Sequence, residues 1–374
     1  MDIFKQHIIK LLKKYTSLDE KDISTILETP PNQNFGDYSF PCFLTAQQSK
    51  RNPAEVARNL SKYFFKDSYI SNVETKGAYL NFFINQDKLN GITIKEILKL
   101  KERYGSSFIG KGKKTLIEHT SINPNAEPHV GRARNALIGD SIVRLLRFLG
   151  YKLEVHYYVN DIGKQIAMLV LAANNKKPKF HELINLYIKI NKELEKNPEI
   201  EKKVFGLLNR LEKGNKKIRK QFNDIVEICV KGQAEILKEL GIKYDYFDYE
   251  SKYLFNKDCV KILKELAKTG KLFTDNDNRQ VLDLREFNLP EDSTYFVLTR
   301  GDGTSLYGLR DLAYGIYKAK RAKDRNIVVL GEDQKLYFAQ FKVALNLLNY
   351  KAPEIVHYSF VLLNEGKMST RKGN

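Results

Sequence analysis

Hydrophobic residues near the start of the chain recur with the spacing of a helix. The pattern predicts a helix over residues 1–29, which Pro30 and Pro31 would end. Pro53 is suited to open a second helix, because proline fits the first helical position. The apolar run 79–84 predicts a strand. The predicted apolar face of the first helix comprises Ile3, Phe4, Ile8, Leu11 and Leu12.

These elements predict how the first part of the chain is organised. Residues 1–85 are expected to form a small α+β domain. Residues 86–112, helical at first and then rich in glycine, are expected to link it to the rest. Residues 113–374 are predicted to be a second domain.

The second domain begins with a predicted strand–loop–helix–strand unit. Apolar runs predict strands at 115–119 and 153–159, and helical spacing predicts a helix over 129–149. A strand, a crossover helix and a strand form a βαβ unit, which favours a parallel sheet. The helix is expected to pack through Leu137, Ile138, Ile142, Leu145, Leu146 and Leu149.

A long Lys- and Glu-rich stretch interrupts this α/β pattern. Residues from about 165 to 280 are predicted to be a mostly helical insertion. Later strands are predicted at 280–284, 294–299, 327–331 and 361–363, with helices over 308–322 and 334–348. The fold class is therefore α/β, with a Rossmann-like parallel sheet.

Composition narrows the classes of partner. The chain has 374 residues, and 63 Lys and Arg against 45 Asp and Glu give it a net charge of +18. Such an excess indicates a polyanionic partner, first nucleic acid and second an anionic membrane. A genome that simply favours lysine is the alternative. Three scattered cysteines suggest a reducing cytoplasm, and apolar runs are too short for a membrane span.

Two short segments suggest phosphate binding. One is the loop before the 129–149 helix, where free backbone N–H groups at the helix start favour an anion, with His129 as a further donor. The other is the glycine-bounded basic stretch 366–373, which could close over a triphosphate. An ordinary βα turn and a solvated basic segment are the respective alternatives.

A third segment suggests a cation site. Tyr307 and Asp311 lie four residues apart at a predicted helix start, so they share a face. A carboxylate beside an aromatic ring suits a guanidinium, which can pair with one and stack on the other. Glu118, at a strand end, could supply a second carboxylate. The alternative for Asp311 is an ion pair with Arg310 or a nearby lysine.

Together these segments resemble the class I aminoacyl-tRNA synthetases, and specifically the arginyl-tRNA synthetases. His129–Arg132 stands where that class has its HIGH signature, and Lys367–Arg371 where it has KMSKS. The arginine assignment rests on more specific runs, which are 158–165, 302–311 and 331–340 in the catalytic part and 31–39 and 77–83 in the N-terminal part.

The resemblance implies roles residue by residue. Arginine would be bound by Glu118, Asn123, Tyr307, Asp311 and Gln334, with Asn123 reaching the α-amino group. ATP would be bound by His129, Gly131, Arg132, Gly331, Leu362, Leu363, Lys367 and Met368. Catalytic roles would fall to His129, Gly131, Arg132, Lys367, Ser369, Arg371 and Lys372. No metal is expected to be held by protein side chains alone.

The resemblance also implies a reaction and its partners. L-arginine would be activated by ATP, brought with Mg²⁺, and then transferred to the terminal adenosine of arginine tRNA. The family usually needs tRNA for the first step. The N-terminal domain would grip the outer corner of the tRNA, and the insertion would guide its acceptor end. A cytoplasmic monomer without membrane association is expected.

The sequence departs from the family pattern at three points. Arg132 replaces the second histidine of HIGH, and Thr370 replaces the second lysine of KMSKS. The family continues beyond this loop into a helical anticodon-binding domain, whereas the sequence ends at Asn374. We therefore expect the N-terminal and catalytic part of such an enzyme, with any C-terminal half supplied separately if the gene is split.

Two alternatives remain open at this stage. One is a non-catalytic tRNA-binding derivative that kept the fold. The other is a different adenylating enzyme of the same fold, such as a pantothenate- or cysteine-ligating relative. Retention of Glu118, Asn123, Tyr307, Asp311 and Gln334 argues against the first, and the N-terminal domain argues against the second.

Overall fold

The structure is a computed structural model and describes residues 2–125, 127–128, 130–359, 362–363 and 366–367. The chain divides into two compact units, Met1–Gly105 and Ser106–Asn374. No helix in these described ranges is both long and apolar enough to cross a membrane.

The first unit packs helices on a three-stranded antiparallel sheet of order β1-β3-β2. Its strands are β1 (Tyr38–Pro41), β2 (Ile70–Lys76) and β3 (Tyr79–Ile84). Its helices are α1 (Ile3–Tyr15), α2 (Glu20–Ile26), α3 (Phe43–Ser49), α4 (Pro53–Ser61) and α5 (Gln86–Leu100). The strand predicted at 79–84 and the helix predicted to open at Pro53 are both present, and Asn52 caps that helix.

The single helix predicted over 1–29 is wrong, because the chain breaks between α1 and α2. The Thr16 hydroxyl donates to the Leu12 carbonyl at 2.9 Å, and Thr16 itself is extended. Asp19 then caps α2 by accepting from the Asp22 backbone N–H at 2.8 Å. Short polar side chains that satisfy helix ends locally outweigh the continuous apolar spacing.

The second unit is built on a five-stranded parallel sheet of order β11-β10-β4-β5-β6. Its strands are β4 (Lys114–Glu118), β5 (Lys152–Val159), β6 (Tyr246–Tyr249), β7 (Leu272–Thr274), β8 (Gln280–Asp283), β9 (Tyr295–Val297), β10 (Arg325–Gly331), β11 (Glu354–Tyr358), β12 (Leu362–Leu363) and β13 (Gly366–Lys367). β7, β8 and β9 form a separate antiparallel sheet, and β12 pairs with β13.

Helices surround these strands in the βαβ order that the sequence predicts. They are α6 (Val130–Phe148), α7 (Lys164–Ala173), α8 (Leu183–Lys196), α9 (Pro198–Glu212), α10 (Lys216–Glu239), α11 (Ser251–Phe255), α12 (Asp258–Ala267), α13 (Tyr307–Ala322) and α14 (Lys335–Leu347). The predicted α/β fold with a parallel sheet is confirmed.

Two strands of the central sheet were not predicted. β6 pairs with β5 and β11 pairs with β10, so both are edge strands. Each is short, and neither is fully buried. They therefore lack the continuous apolar run by which a buried parallel strand is recognised. Since β6 lies within the stretch 165–280, the helices α7 to α10 form the connection between β5 and β6.

The buried face of α6 also differs from the prediction. Leu137 and Leu145 are exposed, by 46% and 58%. Gly139 lies on the buried face instead, and a Cβ added there would stand 2.3 Å from the His119 ring. Close approach to β4 therefore requires small residues where the spacing suggested large ones. The buried face comprises Asn135, Ala136, Gly139, Asp140, Val143 and Leu146.

Candidate functional site

A cavity of about 660 Å³ opens at the carboxyl ends of β4 and β10. The chain leaves β4 toward β5 and β6 on one side, while β10 and β11 lie on the other, so the strand order reverses here. Ligands of open α/β sheets bind at such a switch point. The candidates from the sequence that line the cavity are Glu118, Asn123, Gly131, Arg132, Tyr307, Asp311, Gly331 and Gln334.

The loop that follows β4 is held in an unusual conformation. Thr120 is fully buried with a φ of 68°, a conformation that non-glycine residues rarely adopt. Its backbone N–H donates to the Asn135 side chain at 2.7 Å, and its hydroxyl accepts from Tyr244 at 2.7 Å. Asn135 also donates to the Val329 carbonyl at 2.9 Å. These bonds fix the loop between β4, α6 and β10.

The helices between β5 and β6 support the same loop. Gln233 of α10 donates to the Asn123 carbonyl at 3.1 Å. The Tyr157 hydroxyl, on β5, donates to the Ile122 carbonyl at 3.1 Å. Because both backbone carbonyls are held, the Asn123 side chain has a defined position on the cavity wall. A helix distant in sequence therefore helps to shape the candidate site.

Arg132 gives the cavity a positively charged wall at the start of α6. Its guanidinium donates to the Asn125 side chain at 3.2 Å, and Asn125 is held by Gln165 at 2.9 Å. Burial lowers the pKa of Arg132 below its usual range. Within the described ranges no carboxylate forms an ion pair with it. An uncompensated guanidinium beside a helix N-terminus suits an anionic ligand.

Helix α13 lines the opposite wall with one stripe of side chains. Tyr307, Asp311, Tyr314 and Lys318 all face the cavity, at successive spacings of four, three and four residues. Residues so spaced share one face of a helix. Tyr307 is 57% exposed and lies 5.2 Å from the ring of Tyr337. The shared face predicted for Tyr307 and Asp311 is thus present.

Asp311 accepts a hydrogen bond from a phenol and forms no ion pair among the described residues. The Tyr337 hydroxyl donates to it, and no cationic side chain of the described residues pairs with it. Burial, followed by the neighbouring charge of Glu250, raises the pKa of Asp311 to about 7. The Tyr158 hydroxyl on the same wall is buried and lies near this carboxylate, where it favours the ionised form. Both groups are suited to receive a donor-rich ligand.

The two other deep carboxylates of the cavity already have cations. Glu118 pairs with Lys318, and both side chains are almost fully buried. Glu250 pairs with Arg310 at 2.6 Å. Arg310 therefore binds Glu250, and the alternative in which it pairs with Asp311 is not observed. Asp311 is left as the deep carboxylate without a cation, which a guanidinium ligand would neutralise.

The third wall comes from the end of β10. Gly331 is buried, and a Cβ there would lie 2.6 Å from the Asp333 carboxylate. Gln334 follows, and its amide donates to Asp333 at 3.0 Å. The two candidates thus lie together beyond the strand end, on the same cavity as Asp311.

Several candidates lie outside the described residues. These are His129, Met368, Ser369, Arg371 and Lys372. Leu362, Leu363 and Lys367 belong to the described backbone of β12 and β13, which pair in antiparallel fashion.

Sequence reasoning missed several residues of the cavity. Tyr314 and Lys318 continue the spacing of Tyr307 and Asp311, so the helical period alone would have found them. Glu250 carries no comparable signal, because it follows the short strand β6 that the pattern did not reveal.

The sequence of the chain matches two family profiles. Residues 93–374 match "tRNA synthetases class I (R), catalytic domain". Residues 2–84 match "Arginyl tRNA synthetase N terminal domain". The chain belongs to the arginyl-tRNA synthetase family. The family predicted from the motifs is confirmed.

Curated relatives in this family cover the chain from end to end. An arginine–tRNA ligase of Methanocaldococcus jannaschii is 39% identical over 387 residues, covering 100% of this chain and 67% of the relative. One of Methanosphaera stadtmanae is 39% identical over 378 residues, covering 99% and 64%. The chain thus spans about two thirds of the length of these relatives.

A solved structure shares the fold. The Thermus thermophilus arginyl-tRNA synthetase superposes with a TM-score of 0.68 at 23% identity, covering 98% of this chain and 67% of that one.

Proposed function

We propose that this chain carries the arginine-activating site of an arginine–tRNA ligase. The observation that carries the proposal is the charge arrangement of the cavity. Among the described residues, Asp311, which shares a helix face with Tyr307, pairs with no cation, and Arg132 at the start of α6 pairs with no carboxylate. One end is suited to a guanidinium and the other to phosphate.

In the part of the cavity around Asp311, the arginine guanidinium would pair with Asp311 and stack on Tyr307. A planar guanidinium can donate two parallel hydrogen bonds to one carboxylate. Glu118, Asn123 and Gln334 would complete the arginine pocket, with Asn123 reaching the α-amino group.

In the part of the cavity around Arg132, ATP would lie against the start of α6. His129, Gly131 and Arg132 would line it, with Gly331 allowing close approach at the end of β10. Lys367 and the residues that follow would contribute from the KMSKS-like loop, and Leu362 and Leu363 would meet adenine through backbone. Mg²⁺ would arrive bound to ATP and shield its phosphate charge.

The reaction would run in two steps. The arginine carboxylate oxygen attacks the α-phosphorus of ATP, forming arginyl-adenylate as the bond to pyrophosphate breaks. The 2′-hydroxyl of the terminal tRNA adenosine then attacks the carbonyl carbon, giving arginyl-tRNA and AMP. The protein would act by positioning the groups and stabilising charge, without a covalent intermediate.

The decisive test is arginine-dependent exchange between ATP and pyrophosphate, with and without arginine tRNA. It should be run on this chain and on the chain extended by any sequence that follows it in its gene. We expect exchange that requires arginine and increases with tRNA. Absence of exchange in the extended form, with tRNA present, would overturn the proposal and favour a non-catalytic tRNA-binding derivative. The cytoplasmic location and the monomeric state stay predictions.

A further inference from the structure

Lys318 lies two turns beyond Asp311 on α13 and has a role that neither the motifs nor the family profiles assign. Its side chain is 4% exposed, and its ammonium donates to the carboxylate of Glu118, whose side chain is 6% exposed. Both residues line the cavity. A buried ion pair costs desolvation of two charges, so its occurrence beneath a ligand cavity needs a reason beyond stability.

The ion pair with Lys318 occupies one carboxylate oxygen of Glu118 and leaves the other oxygen available. Lys318 binds Oε2, and no other described side chain hydrogen-bonds to this carboxylate. Glu118 lines the cavity, and Oε1 is the oxygen that the ion pair with Lys318 leaves available to a ligand. An oxygen held in this way is a ready acceptor for an N–H of a ligand.

Lys318 is itself held in place by its neighbours. Its ammonium lies 4.6 Å from the centre of the Tyr314 ring. That ring stacks on Tyr158 at 4.2 Å, and its hydroxyl donates to Asp248 at 2.8 Å. Tyr314 therefore packs against Lys318 on one side and against the cavity-lining Tyr158 on the other. The side chain that bonds Glu118 has little freedom to move.

We infer that Lys318 is a positioning residue for the amino-acid substrate: it orients Glu118 so that one carboxylate oxygen accepts from arginine. It also neutralises Glu118, so that the guanidinium is directed to Asp311. The inference rests on the proposed function, because it concerns the same arginine pocket.

Other charges around Glu118 are already matched. On β5 and β6, His156 bonds Asp248 at 2.6 Å. At the end of β6, Glu250 pairs with Arg310 from α13. Asp311 is the remaining neighbouring carboxylate. Loss of the Lys318 charge would therefore leave two adjacent carboxylates, Glu118 and Asp311, without a cation, and a proton would be taken up in its place.

Calorimetric titration of the 374-residue chain with L-arginine between pH 5.5 and 8 tests this inference. Lys318→Met should raise the dissociation constant for arginine about tenfold or more, since the acceptor oxygen is no longer oriented. It should also steepen the loss of affinity at low pH, because two carboxylates must then lose protons on binding. Lys318→Arg should keep most of the affinity. Lys320→Met, an exposed lysine on the same helix, should bind as the unchanged chain does.

If Lys318 only supports the fold, Lys318→Met should weaken arginine binding by the same factor at every pH, so the slope of affinity against pH would not change. If Lys318→Met fails to fold, the double variant Glu118→Gln with Lys318→Met removes both charges. It should bind more weakly than the unchanged chain but with the unchanged pH slope. Unaltered affinity in Lys318→Met, or a steeper slope in the double variant, overturns the inference alone. Absence of arginine binding by the unchanged chain overturns the proposed function as well.

Discussion

At the scale of single residues, the charge of Asp311 sets what the cavity can accept. Asp311 is half-buried, and its carboxylate accepts a hydrogen bond from the Tyr337 hydroxyl. Hydrogen bonds from phenol hydroxyls satisfy only part of the acceptor capacity of the two carboxylate oxygens. A guanidinium supplies two further coplanar N–H donors and a full positive charge, whereas an ammonium supplies the charge without a pair of coplanar donors.

The pKa of Asp311 predicts how arginine affinity depends on pH. Since burial raises this pKa to about 7, the carboxyl is mostly protonated below pH 7, whereas arginine binding requires it ionised. Affinity should therefore fall about tenfold for each pH unit below 7, with one proton released on binding. Titration calorimetry in buffers of different ionisation enthalpy measures both quantities.

Asp311→Asn is the matched variant for this prediction. It should bind arginine at least about a hundredfold more weakly, because the guanidinium would lose its counter-charge. It should also alter folding stability with a definite sign. The folded state holds a proton that an unfolded carboxyl releases near its ordinary pKa of 3.8, so the stabilisation is lost as pH rises from about 4 through 7. The variant should lack this decline in urea unfolding; an unchanged pH profile contradicts the raised pKa.

Arg132 predicts a matching effect on ATP. Arg132 is half-buried; its guanidinium donates to Asn125 and has no carboxylate partner in the described part of the chain. Arg132→Gln should weaken ATP binding roughly tenfold to a hundredfold, because a charge-assisted hydrogen bond to phosphate is lost. Equilibrium binding of ATP measures the effect. Arg134→Gln on the same helix, outside the cavity lining, should change it little; equal losses in both variants would refute the role given to Arg132.

At the scale of elements, the packing of α6 on β4 depends on Gly139. A Cβ at Gly139 would overlap the His119 ring, with a closest approach of 2.3 Å. Gly139→Ala should therefore destabilise the fold by about 1–3 kcal/mol, as overpacked core positions do. Gly206→Ala in α9 meets no atom within 4 Å and should instead stabilise by about 0.5–1 kcal/mol. Urea denaturation of the two variants measures the contrast, and a neutral Gly139→Ala would contradict the close packing.

The strands with strong apolar patterns could be predicted, and the edge strands could not. Ile327–Gly331 is a continuous apolar run and forms the buried strand β10. β6 and β11 derive their structure from pairing with a neighbour, which no local pattern records. The same distinction applies to the site. Tyr307 and Asp311 share a helix and were predictable as neighbours, whereas Glu250 reaches Arg310 from 60 residues away.

At the scale of the whole molecule, the net charge of +18 predicts strongly salt-dependent binding of tRNA. Lys and Arg that contact phosphates release counter-ions on binding, and added salt opposes that release. The logarithm of the association constant should therefore fall linearly with the logarithm of salt concentration, with a slope of several units. Filter binding of tRNA measures this slope between roughly 50 and 300 mM KCl, a range in which such slopes are resolved. If the affinity for tRNA does not depend on salt, the excess Lys and Arg residues do not contact the tRNA phosphates.

The pairing of β6 with β5 has a consequence for how the chain folds. Val159 and Tyr249 are neighbours in the sheet, yet the whole bundle of α7 to α10 separates them in sequence. Closing so long a loop costs entropy before the contact is gained, whereas a helical bundle forms from nearby contacts. We expect α7 to α10 to gain protection from hydrogen exchange early during refolding and β6 late. Since Glu250 follows β6, Arg310 would meet its counter-charge only in the last stage of folding.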